Sequence, residues 1–180
     1  MKLLFSLLLS AVCFGSYAQV NKITIQASGL TCSMCSNAIN KSLKTIPYVE
    51  TVFSNIKSSS FDVTVKPGAD VNFDDFKKKV EDAGFSIAGL TAEVNFQSAK
   101  MEKDAHIRLG KMNLHVLKFA GKELQGPQTI RLLDKGFVTS KEYRQNTGLT
   151  TMECYKTGKA AGCCKGHGID KGSRVYHVSI

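Results

Sequence analysis

Ile23, Ile25 and Ala27 alternate with polar neighbours, the period-two pattern of a half-buried strand, and Ser28-Gly29 breaks it. From Cys35 the apolar positions move to helical spacing at Ile39, Leu43 and Ile46 before Pro47 stops the run. Val49, Thr51 and Phe53 alternate again, as do Phe61, Val63 and Val65, with Asn55 to Ser60 as the turn between two antiparallel strands. Phe73, Phe76, Val80 and Ala83 return to the helical period. Asn72 serves as N-cap there, and Asp74 and Asp75 occupy the first turn, where the helix dipole favours acids. Gly84 ends this helix, and Ala88, Leu90, Ala92 and Val94 make a last strand.

That order of elements, βαββαβ, is the split βαβ arrangement of a ferredoxin-like sandwich. Beyond it the pattern weakens. Leu114 to Phe119, Thr129 to Leu133 and Arg174 to Ile180 read as strands, punctuated by Gly121, Gly126-Pro127 and Gly136. The expected fold class is α+β: the sandwich over residues 19–95, a linker at 96–105, and a small β-rich module over 106–180, barrel-like in outline.

Charge divides the chain at the same place. Residues 19–95 carry eight Lys, no Arg and eight acids, for a net of zero, whereas 96–180 carry fifteen basic and seven acidic residues, for +8. A basic module invites nucleic acid, but no aromatic stacking pattern accompanies it, and a solvated surface is the expectation. With 43% hydrophobic and 22% charged residues the composition is globular.

The start of the chain sets the expected compartment. Lys2 precedes the apolar run Leu3 to Gly15, and Ser16-Tyr17-Ala18 places small residues before a cut at Gln19, the layout of a cleavable signal peptide over residues 1–18. The run falls short of the roughly 20 residues a spanning helix needs. The mature chain is therefore expected in the periplasm or outside the cell, without a membrane span.

The chemistry concentrates where the first strand meets the first helix, in Gly29-Leu30-Thr31-Cys32-Ser33-Met34-Cys35. Unpaired N–H groups and the dipole at a helix N-terminus stabilise thiolates. Two thiolates form a soft two-point clamp suited to Cu(I), whereas a structural Zn(II) site takes four protein ligands. Cys32 and Cys35 are the candidate metal ligands. Outside the cytoplasm the same pair has an alternative reading as a disulfide or a thiol-disulfide exchange site. No phosphate loop, paired carboxylate or Ser-His-Asp pattern appears, and no enzymatic activity is expected.

The stretch Gly29 to Cys35, followed fifty residues on by Ala83-Gly84-Phe85, resembles the heavy-metal-associated domain family, whose pattern is Gly-Met-Thr-Cys-x-x-Cys with a later Gly-aromatic pair. The resemblance covers roughly residues 21 to 94. It implies metal binding by Cys32 and Cys35, with Cu(I) first and Hg(II) or Zn(II) as alternatives. It also implies a metal-transporting ATPase or another metal-handling protein as partner. Leu30 departs from the usual Met, and Tyr48 stands where Gly commonly follows Pro.

Met152, Cys154, Cys163, Cys164 and His167 fall within sixteen residues on a loop rich in Gly and Lys. These are the ligand types soft metals prefer, so Cys154, Cys163, Cys164 and His167 are a candidate second site, with a disulfide from Cys154 to Cys163 or Cys164 as the alternative. The glycines predict a mobile loop able to exchange an ion with Cys32 and Cys35. His106, His115 and His177 are expected as strand or surface histidines.

Overall fold

The strand signal at Ile23 to Ala27 belongs to β1 (Val20–Ser28) of the computed structural model, which describes residues 20–180 apart from positions 31, 103 and 122. The expected signal peptide lies outside the described residues. In chain order there follow α1 (Ser33–Leu43), β2 (Val49–Asn55), β3 (Ser60–Val65), α2 (Phe73–Asp82) and β4 (Ser86–Lys100). The N-terminal region is thus the ferredoxin-like sandwich, its strands ordered β2-β3-β1-β4. Ile23 and Ile25 pair across β1 with Ala92 and Leu90 of β4 and with Val63 and Phe61 of β3, so their buried side chains share one face of the sheet.

Both helices cover that face. α2 buries Phe73, Phe76 and Val80 completely, each contributing about 1.5–3 kcal/mol of transfer free energy as an upper bound. Its cap is the expected one, with Asp74 N–H donating to the Asn72 side chain at 3.1 Å.

Two of the register shifts among the described strands change which of the expected positions face the core. Register shifts between Val49 and Thr51, so Val52 points inward and Phe53 is 69% exposed. Likewise β4 skips Ala88 opposite β1, and Ile87 is buried in its place. An extra residue in one strand switches which side chains face the core, and nothing in the apolar pattern marks where it falls.

The C-terminal half does not close into a barrel. β5 (His106–Leu109), β6 (Met112–Lys118), β7 (Glu123–Leu132) and β8 (Val175–Ser179) extend the same sheet, in the overall order β2-β3-β1-β4-β7-β8-β6-β5. Residues 96–100, expected as the start of a linker, continue β4, which pairs with β7 from Thr91↔Arg131 to Lys100↔Glu123. The long hydrogen-bonded edge of β4 is thereby covered, which removes the pairing liability of an open edge. The main core is continuous across the junction, running from Ile39 and Phe76 to Leu132 and Val178.

Strand alternation then distributes the remaining elements between the two faces. Tyr176 and Val178 lie on the helix face, where Tyr176 packs edge-on against Phe73 of α2 at 5.2 Å. His177 and Arg131 point to the other face. There α4 (Cys154–Thr157) and a 3-10 helix (Gly162–His167) build a second, smaller core of Cys154, Ala160, Cys164, Ile169 and Val175, with α3 (Ser140–Asn146) beside them through the Tyr143–Tyr155 stack.

Candidate metal centre

Gly29, at φ +79°, turns the chain out of β1, and Cys32 becomes the N-cap of α1. The Cys35 N–H donates to Cys32 Sγ at 3.3 Å, and the two sulfurs lie 2.7 Å apart on an exposed turn. The Cys35 thiol and backbone N–H hold the Cys32 thiol below its ordinary pKa, and the same sharing pushes Cys35 up. Of the two, Cys32 is the thiol that ionises more readily. A two-coordinate ion with metal–sulfur bonds of about 2.3 Å needs the sulfurs to part by about 1–2 Å, which side-chain rotation on an open turn supplies.

The surroundings account for the two departures from the family pattern. Leu30 is partly buried and packs on the main core, supporting the loop from beneath as an apolar side chain. Tyr48 packs against Phe76, and its hydroxyl lies 2.8 Å from Asp75 Oδ2 and 3.0 Å from the Asn72 carbonyl, tying the β2 entrance to the start of α2. Phe85 packs on the core, whereas Met34, between the two cysteines, is 82% exposed.

The second candidate cluster differs in membership and setting from the sequence expectation. Cys154, Cys163 and Cys164 do converge, their sulfurs all within 4.8 Å of one another, and all three are free. His167 is exposed and does not join them. Its ring stacks on His106 at 4.2 Å. The loop is not free of the body either: Cys154 and Cys164 are fully buried, and Ala160, Gly172 and Val175 tie it by backbone hydrogen bonds to Ser173, Ala160 and Gly158.

His106, His115 and His177 lie in strands, one of the two settings expected of them, but the sequence did not show that they converge. His106 of β5 pairs with His115 of β6, which pairs with His177 of β8, so one register position carries three imidazoles in a row on the face opposite α2. His115 and His177 are both 0% exposed. His115 Nδ1 lies 3.7 Å and His177 Nε2 lies 3.4 Å from Cys154 Sγ. Burial, reinforced by the neighbouring imidazoles, lowers the pKa of His115 to about 4, so the ring is neutral near pH 7. Burial likewise lowers His106 and raises Cys154. The available signal was a His inside an apolar run, Leu114-His115-Val116 and Tyr176-His177-Val178, in strands covered on both faces.

The family model for the heavy-metal-associated domain matches residues 24–86. Among solved structures, the chain is similar to a CopZ metallochaperone, at 21% identity over 37% of this chain and 98% of that one, with a TM-score of 0.35. It is also similar to a copper binding domain from HMA7, a P-type ATPase, at 30% identity over 42% of this chain and 95% of that one, with a TM-score of 0.34. A third similar structure is oxidized MerP from Ralstonia metallidurans CH34, at 24% identity over 38% and 97% of the two chains, with a TM-score of 0.35. No curated protein matches the chain. Running from β1 to the start of β4 with the cysteine turn at the head of α1, the segment spanning residues 24–86 is a heavy-metal-associated domain.

Proposed function

We propose that the protein binds one Cu(I) through Cys32 and Cys35 and passes it to another metal-handling protein, working outside the cytoplasm and without catalytic turnover. The observation that carries this reading is the exposed pair itself. The Cys32 sulfur caps α1 and the Cys35 sulfur lies 2.7 Å away, on a turn that a partner's ligands can reach. Soft sulfur donors select Cu(I), and two of them leave the ion transferable. The family of residues 24–86 supports the reading, as does the layout of residues 1–18 for export. Among the described residues no helix is long and apolar enough to cross a membrane. A metal-transporting ATPase is the partner class that fits. Hg(II) and Zn(II) are the competing ions.

The test is Cu(I) titration against a chromophoric chelator under anaerobic conditions. Relative to the parent chain, Cys32→Ser with Cys35→Ser loses one equivalent, because two hydroxyl oxygens do not replace the soft sulfur pair. Unchanged stoichiometry in the double variant refutes the assignment. The unequal thiols favour one other reading, dithiol-disulfide exchange at the same pair. Rapid insulin reduction that disappears in Cys32→Ser would establish it in place of metal transfer.

A further inference from the structure

Around Cys154 the hydrogen-bond accounting does not close. His115 donates Nε2–H to the Asp104 carboxylate at 3.1 Å, which leaves Nδ1 as the lone-pair nitrogen facing Cys154 Sγ. His106 donates Nδ1–H to the Asp104 carbonyl at 3.0 Å, which leaves Nε2 as its lone pair, and that atom is buried without a partner. His177 donates Nδ1–H to Asp134 at 3.0 Å, and its Nε2 also faces the sulfur. Three nitrogen lone pairs thus surround a thiol that owns one hydrogen. At least two of them lack a donor, in a setting where an unpaired buried polar atom costs about 1–3 kcal/mol.

A cation answers that surplus of acceptors. His106, His115 and Cys154 each present one ligand atom, all within 4.8 Å of one another. The two imidazoles stack with centroids 4.3 Å apart and planes 12° from parallel, so bonds of about 2.0–2.1 Å to nitrogen and 2.3 Å to sulfur require one ring to turn about its Asp104 hydrogen bond until both lone pairs meet the ion. The opposite ring nitrogens of both imidazoles are anchored on one residue, the outer arrangement that fixes tautomer and direction in metal-binding histidines. That residue, Asp104, holds φ +57°, an uncommon conformation for a side chain other than Gly. Cys154 is also shared with the Cys163 and Cys164 set. An ion arriving at the partly exposed Cys163 therefore reaches the imidazoles by thiol exchange.

We propose that His106 Nε2, His115 Nδ1 and Cys154 Sγ form a second metal centre, independent of Cys32 and Cys35, for a thiophilic d10 ion, Cu(I) or Zn(II). The centre lies on the sheet face opposite α1 and α2, with Cys163 and Cys164 as adjoining sulfur donors and Asp104 as the positioning residue.

The experiment uses the full chain carrying Cys32→Ser and Cys35→Ser, reduced with a non-thiol reductant under anaerobic conditions, so its outcome is separate from that of the first site. Cu(I) and Zn(II) are titrated in parallel against chelators, and the bound ion is examined by X-ray absorption. The expected result is about one equivalent of one of the two ions, with both imidazole nitrogen and sulfur coordinated. Asp104→Asn keeps the side-chain shape and tolerates φ above zero. It lowers affinity by about 10–100-fold while the metal-free melting temperature stays close to the parent. Cys154→Ser abolishes binding; if that variant fails to fold, Asp104→Asn and the scattering data carry the decision. Less than a fifth of an equivalent, roughly, of either ion overturns the proposal, because a resident site fills near stoichiometry. Sulfur-only coordination, or an affinity unmoved by Asp104→Asn, also overturns it.

Discussion

Replacing Arg174 tests whether the two halves of the chain fold as one unit. Its guanidinium donates from Nε and Nη2 to the two oxygens of Asp74, at 2.8 and 3.2 Å, at the start of α2. From Nη1 it reaches Asp134 at 3.1 Å and the carbonyls of Gly158 and Val175 at 3.1 and 2.7 Å, and it lies 4.2 Å from the Tyr176 ring centroid. Arg174→Met keeps most of the aliphatic volume and removes the charge. The Asp74 pair is half-exposed and contributes about 1 kcal/mol at most. Asp134 is different, because its side chain is only 4% exposed and loses its full positive partner. Removing one member of a buried pair costs about 3–5 kcal/mol, reduced here because the backbone and ring N–H groups of His177 still donate to the carboxylate.

A net loss of about 2–4 kcal/mol follows, which for a chain of this size lowers the melting temperature by about 5–15 °C. Far-UV circular dichroism and tyrosine fluorescence, read during one urea titration, should move together. Adding Asp134→Asn to Arg174→Met should recover part of the loss, since the orphaned charge is then gone. A loss below about 1 kcal/mol refutes the reasoning, as do two separate transitions of which only one shifts.

Other outcomes follow from single contacts. Because its neighbour's thiol and backbone N–H hold Cys32 below its ordinary pKa and Cys35 above, iodoacetamide near neutral pH should label Cys32 first, as peptide mass spectrometry reads; equal labelling would remove the asymmetry. Tyr48→Phe removes the hydroxyl bonded at Asp75 and Asn72 and should cost about 1 kcal/mol in thermal unfolding, leaving metal affinity at Cys32 unaltered. The Cys164 amide, which donates to Ala161 at 3.0 Å under a fully buried side chain, should exchange its hydrogen about 100 to 10,000 times more slowly than an open loop, and unprotected exchange would show the loop detached.

The N-terminal region was legible because its apolar periods change cleanly from 2 to 3.6 and back. Local chemistry marks each boundary, from Asn72 at the cap of α2 to Gly84 with φ +85° beyond its end. The bulges at Glu50 and Ala88 were not legible, since an extra residue leaves composition untouched while reversing the faces. In the C-terminal half, β6 is buried on both faces over Met112 to Val116, so alternation disappears and no period tells which side chains meet. The cysteines of the second cluster were visible as a local run. The alignment of His106, His115 and His177 was not, because sheet order rather than sequence distance brings them together, and the parallel pairing of β6 with β8 spans about sixty residues of chain.

Placement of the two thiol clusters on opposite sheet faces bears on the idea of an internal handover. Cys32 and Cys35 head α1 on the helix face, whereas Cys154, Cys163 and Cys164 approach the sheet from the other side, beside His177. To carry an ion around the sheet, the loop would have to lift Ala160, Cys164 and Ile169 out of their core and break the hydrogen bonds of Ala160 and Gly172. Burial of those side chains alone opposes the movement by about 3–5 kcal/mol. The detached loop is then populated at roughly one molecule in 150 to one in several thousand, since each 1.4 kcal/mol is about tenfold. The glycines that made the loop look mobile serve its turns instead, with Gly158 and Gly168 at φ +69° and +67° as helix caps. Under the proposed function, transfer from Cys32 and Cys35 would therefore fall to a partner that meets them at the exposed turn, and an ion bound at the proposed Cys154 centre would be held rather than relayed.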